Sequence, residues 1–284
     1  MPDLPSRIAE RRLTVWRMAF ALFDKGADYE GPFYSAGYVD PVVEPVLNNG
    51  SNPDMLAVTD SHFAVLEVSC SPNKDFTGAQ RYAEGDLTPS LRARVGDRPR
   101  SVAGAPFFVT TESGIRSFPP FLNAVRVAPP VEAYLPKVED RRLHDLLDTW
   151  TGFPKPVSNY SLLAVPESDI DEIKLPLAGV LKGLTTEGGT ITADGLADYL
   201  LGDLADAVAQ QAKGRLVKNV ATMMERAGVA LSEFVSYDRV GRTLSLKKVD
   251  TAPGRKAFSK AISDWMQVPF LESFSSQDES GEEE

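Results

Sequence analysis

Two short apolar runs, Met55–Val58 and Phe63–Val68, flank an Asp60-Ser61 turn, and this pair constrains the fold more than any other feature of the chain. Both are too short for a buried helix, and the second is rich in the Val and Phe that suit a pleated surface. They predict a hairpin whose strands are packed into a core. Upstream, Ile8, Leu13, Trp16, Phe20 and Phe23 recur near helical spacing over Arg7–Lys25, with Gly26 as the stop. The intervening Gly31, Pro32, Pro41, Pro45 and the run Asn48–Pro53 read as loop. Downstream, Asp75–Glu84 reads as a helix capped by Asp75, and Pro106–Thr111 and Asn123–Val127 as two more strands. The expectation is an α/β domain over residues 1–165. From about residue 129 it tapers into a proline-punctuated linker that carries one helix, Asp140–Trp150.

From Leu175 the pattern changes to a helix (Leu175–Leu184), a short strand (Thr190–Thr192), a second helix (Ala193–Leu201) and a third (Asp203–Ala227) ended by Gly228. Phe234–Tyr237 and Thr243–Leu246 then flank Asp238-Arg239-Val240-Gly241-Arg242, whose glycine suits a hairpin turn. This order resembles a winged helix-turn-helix, and residues 166–270 are assigned to such a mainly helical domain. The rest, 271–284, reads as a disordered acidic tail, since Gln277–Glu284 holds five acids and no apolar residue.

Charge separates the same regions. The 284-residue chain carries a net −10, yet between Lys213 and Lys260 eleven basic residues stand against four acids. That segment is therefore +7 and the remainder −17, an asymmetry expected of a polyanion-binding face on one domain. Arg215 and Lys218, three apart on one helix face, and Arg239 and Arg242 at the hairpin tip are the expected phosphate contacts to DNA. A single cysteine, Cys70, and two histidines, His62 and His144, leave no disulfide framework and no sulfur- or histidine-rich metal centre. Any metal must be held by oxygens. The absence of a signal-peptide pattern and of an apolar run of roughly 18 residues predicts a cytoplasmic protein without a membrane span.

Oxygen ligands concentrate on the hairpin. Asp54 opens the first strand, Glu67 lies inside the second, and with the Val68 carbonyl they form a set suited to Mg2+. Pro53-Asp54, Glu67-Val68-Ser69 and the following Gln80-Arg81-Tyr82 resemble the PD-(D/E)XK nuclease superfamily over about residues 7–127. The resemblance implies a restriction-endonuclease-like mixed sheet flanked by helices, a Mg2+ site at Asp54 and Glu67, and phosphodiester cleavage. A further acid often completes the site in that family; Glu10 and Glu44 are both candidates, with Glu44 grouped with Asp54 and Glu67 as the expected metal ligands. The family's lysine is Ser69 here, and a hydroxyl has neither the charge nor the reach of an ammonium. Lys74, five residues on, is the candidate replacement among the catalytic residues. The expected function is therefore a metal-dependent, DNA-processing endonuclease, of the kind used in restriction or defence, whose winged helix binds duplex DNA. The alternative is a catalytically silent scaffold or DNA-recognition subunit of a larger complex with protein partners.

Overall fold

The computed structural model describes residues 4–25, 29–45, 53–69, 76, 103–153, 162–184, 189–247, 249 and 251–267. It divides into two compact units: Met1–Pro166 with Gly202–Lys213, and Glu167–Leu201 with Gly214–Glu284. Residues 202–213, assigned from sequence to the second domain, thus lie with the first unit. The helix expected over Asp75–Glu84, apart from Phe76, and the acidic tail lie outside the described residues.

The first unit is built on six strands that lie side by side in chain order: β1 (Val39–Val43), β2 (Met55–Val58), β3 (His62–Ser69), β4 (Ala103–Thr110), β5 (Asn123–Arg126) and β6 (Glu132–Tyr134). β1, β2 and β3 are antiparallel neighbours, β3, β4 and β5 are parallel, and β6 returns antiparallel to β5. The sheet is therefore mixed. The expected hairpin is β2–β3, with Met55 paired to Leu66 and Val58 to Phe63. Phe63, Ala64, Val65 and Leu66 are all buried, which is why this strand reads as a continuous apolar run: both of its faces are covered.

Consecutive residues of β4 show the two layers. Phe107 and Phe108 point to opposite faces. Phe107 meets Phe33 of α2 (Pro32–Ala36) at 5.2 Å between ring centroids, and Phe33 also contacts Phe23 and Tyr38 at 4.8 and 5.7 Å. Trp16, from α1 (Leu4–Ala21), is 1% exposed and α1 packs on β3 and β4. On the other face Phe108 lies with Ile115, Leu122 and Ala124, and with Phe76 and Phe118. Phe76 belongs to the crossover that joins the parallel strands β3 and β4. Beyond β6, α3 (Arg141–Asp148) is capped by Asp140, whose carboxylate accepts from the Arg142 and Leu143 amides.

Several departures from the sequence reading have local causes. The first helix ends at Ala21 rather than Lys25 because the Leu22 carbonyl accepts from the Phe33 and Tyr34 amides, which turns the chain into α2. α2 and β1 occupy the stretch read as loop. Pro32 at the helix start and Gly37 beyond its end, at φ 99°, define α2, and Pro41 falls where the β1–β2 register shifts. The stretch read as a linker supplies β6 as well as α3, the helix expected over Asp140–Trp150.

The second unit holds α4 (Ile170–Gly183), β7 (Gly189–Thr192), α5 (Ala193–Leu201), most of α6 (Gln210–Ala230), β8 (Val235–Asp238), β9 (Thr243–Leu246) and α7 (Ala252–Gln267). Its three strands are antiparallel in the order β7-β9-β8. α4 starts five residues before the expected Leu175 because Asp169 and Glu172 form a reciprocal capping box. α6 starts at Gln210 rather than Asp203 and runs through Gly228. A Cβ at Gly228 would stand 2.7 Å from Tyr237 Cβ, so this glycine permits close packing of the hairpin and does not stop the helix. Leu196, Leu200, Leu216, Val220, Met224, Phe258 and Ile262 are fully buried. Among the described residues, no helix is long and apolar enough to cross a membrane.

Candidate functional site

The strand register places three acids at one level. Val43 pairs with Met55 and Met55 with Leu66, so one step beyond these pairs the backbone of Glu44 stands opposite Asp54, and that of Asp54 opposite Glu67. Two hydrogen bonds fix this level: the Glu44 amide donates to the Asp54 carbonyl at 2.8 Å, and the Val68 amide donates to Asp54 Oδ2 at 2.5 Å. Glu44 is 2% exposed and held at φ 46°, an uncommon conformation for a side chain of its size. Glu67 and Ser69, two apart on β3, share one sheet face.

The placement also separates the two candidates for the additional acid. Glu67 pairs with Phe108, on the face covered by Phe76. Glu10 is exposed on α1, in the layer whose aromatic cluster meets Phe107 on the opposite face. Glu44 is therefore the acid in register with Asp54 and Glu67. Lys74, Gln80 and Tyr82 lie outside the described residues.

The donor chemistry suits a hard cation. Directly opposed residues on antiparallel strands hold their Cβ atoms about 4.5–5.5 Å apart, which lets Asp54 and Glu67 present two carboxylates from adjacent strands. Mg2+ accepts one or two carboxylates and completes its shell with water. Among the described residues, however, no group of three or more His, Cys, Asp or Glu side chains is placed to hold a metal ion. The alignment is thus one of backbone positions, with one Asp54 oxygen engaged by the Val68 amide.

One element beside this row has no sequence signature. The segment Ala207–Ala209 lies along β1: Val43 donates to the Ala207 carbonyl and accepts from the Ala209 amide, both at 2.9 Å, in a parallel bridge centred on Val208. It satisfies the backbone of β1 next to Glu44. Asp-Ala-Val-Ala carries no strand periodicity, so only the fold assigns it this place.

In the second unit, Arg215 and Lys218 are exposed on α6, and Arg239 and Arg242 are exposed around the β8–β9 turn. Asp238 shapes that turn by accepting from the Val240 and Gly241 amides at 3.0 and 3.1 Å. Val240 is 95% exposed at its tip. The two arginines differ. Arg239 is ion-paired to Glu225 of α6, whereas the Arg242 carbonyl accepts from the Ala193 amide at 2.9 Å and leaves its guanidinium exposed. Sequence alone treats them as equivalent phosphate contacts.

No protein-family model, curated protein or solved structure matches this chain. The functional reading therefore rests on these residues and their placement.

Proposed function

We propose that the first unit is a nuclease-like domain with a divalent-metal site on Asp54 and Glu67, beside Glu44, and that the second is a winged-helix unit that binds duplex DNA. The observation that carries this reading is the register of the three acids across β1, β2 and β3. Asp54 and Glu67 would hold the metal, with Glu44 beside Asp54. The bound ion would supply charge stabilisation and an acidified water for phosphodiester hydrolysis. Asp54 is oriented by the Val68 amide, and Ser69 shares the Glu67 face without bringing a positive charge. The winged-helix reading is supported by the element order of the second unit, helix-strand-helix-helix-hairpin, with the strands arranged β7-β9-β8.

The test is cleavage of duplex DNA with Mg2+ or Mn2+ by the wild type and by Glu67→Ala. The expected result is cleavage abolished in the variant at unchanged thermal midpoint. Cleavage retained by Glu67→Ala would overturn the metal assignment. Ser69 favours a second reading, the catalytically silent DNA-recognition subunit. Under that reading the wild type binds duplex DNA and cuts with neither metal.

Each phosphate contact contributes about −0.9 to the slope of log affinity against log salt. Arg242→Gln is therefore expected to flatten the slope by about 0.9 and weaken binding similarly for all sequences. Arg239→Gln should change it less, because Glu225 already neutralises part of that charge. Glu225→Gln, which releases Arg239, should tighten binding at low salt. A slope unchanged in Arg242→Gln would remove the hairpin from the interface.

A further inference from the structure

A groove of about 510 Å³ lies in the first unit, away from the acid row, and is lined by Ser35 of α2 and by Arg141, Arg142, Asp145 and Leu146 of α3. Its charge arrangement conflicts with the helix that carries it. Arg141 and Arg142 are the first two residues of α3, the positive end of the helix dipole, where cations are disfavoured. The first turn contains no acid. The cap carboxylate is engaged by the backbone: Asp140 Oδ1 accepts from the Arg142 and Leu143 amides, while Oδ2 stands 4.0 Å from His62 Nδ1. The Asp140 charge and burial together push the Tyr38 phenol up from its ordinary range, burial being the larger cause. Among the described residues, neither guanidinium makes an ion pair. Asp145, one turn further on, lies 3.6 Å from His144 Nδ1.

We infer that this groove binds a phosphate monoester that carries a neighbouring hydroxyl, as in a nucleotide or the phosphorylated end of a nucleic acid strand. Two adjacent arginines offer the planar donor forks that match phosphoryl oxygens. On the opposite wall the Ser35 hydroxyl donates to Glu30 Oε2 at 3.3 Å, which leaves its oxygen to accept from the ligand's hydroxyl. Asp145 accepts a hydrogen bond from a sugar hydroxyl and repels a bare polyanion, so it selects an ester over free phosphate. Leu146 gives the organic part an apolar contact. The inference is independent of the nuclease reading, since no residue of the acid row takes part.

The experiment is calorimetric titration of the full chain with inorganic phosphate, ribose 5-phosphate, adenosine 5′-monophosphate and a 5′-phosphorylated oligonucleotide. The wild type is expected to bind at least one phosphate ester more tightly than inorganic phosphate. Arg141→Gln with Arg142→Gln should weaken that binding at least tenfold. Arg142→Lys, which keeps the charge and loses the fork, should weaken it severalfold. Asp145→Asn should narrow the preference for ester over free phosphate. Binding of the nucleotide identifies a free ligand; binding confined to the oligonucleotide and lost in the double variant identifies a strand end, and either result supports the site. No binding of any ester, or equal affinities in wild type and double variant, would overturn it. The oligonucleotide's contacts to the basic face of the second unit are recognised by their persistence in the double variant.

Discussion

Gly31→Ala is expected to destabilise the first unit by about 3 kcal/mol or more, a large share of the roughly 5–15 kcal/mol that typically holds a domain folded. The reason is close approach and not backbone angle, since Gly31 has an ordinary φ of −62°. A Cβ there would stand 2.2 Å from the Leu22 carbonyl oxygen and 2.6 Å from that of Ala21. Both are backbone atoms that cannot rotate aside. The Leu22 oxygen is also the acceptor for the Phe33 and Tyr34 amides, so relieving the clash moves α2 and withdraws Phe33 from Phe23, Tyr38 and Phe107. Overpacking alone costs about 1–3 kcal/mol, and disturbed aromatic packing adds to it. Gly179→Ala is the control. It lies within α4, a Cβ there meets nothing within 4 Å, and a gain of roughly 0.5–1 kcal/mol is expected from helix propensity. Urea midpoints of the two variants that move in the same direction would contradict this account.

The second large effect is expected in the other unit, where Phe258→Ala should cost about 3–5 kcal/mol, the usual range for emptying a buried aromatic site. Phe258 is fully buried in α7 and its ring centroid lies 5.0 Å from that of Phe234, just before β8. α7 also packs on α4, where the Lys174 ammonium sits 5.4 Å from the centroid of the Trp265 ring. Emptying the Phe258 site therefore loosens the strand pair and the helix layer together. Guanidinium unfolding followed by circular dichroism gives the measurement. A loss under 1 kcal/mol would mean that α7 is dispensable to the core of this unit.

Where periodicity was strong, the elements could be read directly. β2 and α5 have the predicted limits, and the β8–β9 hairpin differs by one residue at each end of its first strand. Their residues alternate or recur with local meaning, and flanking Asp, Ser and Gly close them. Boundaries failed where a tertiary contact overrode the local signal, as at Ala21, where the Leu22 carbonyl receives α2, and at Gly228, where a glycine serves packing. α7 went unread because its buried Phe258, Ile262 and Trp265 are spread among charged and small residues. Asp54 and Glu67 were legible as acids on paired strands, since a hairpin turn fixes which residues oppose each other.

The hairpin, the mixed helix-and-strand character of the first unit, the helix-strand order of the second and the segregation of basic charge are all legible in the residues alone. All of these follow from short-range periodicity, turn chemistry and composition. The placement of Glu44 opposite Asp54 came from the fold alone, because it depends on the β1–β2 register, set by pairing between residues distant along the chain. Only the tertiary structure brought Ala207–Ala209 to the edge of β1 beside Glu44, because a backbone hydrogen bond can be made by any residue with an amide and a carbonyl and so leaves no mark on side-chain sequence.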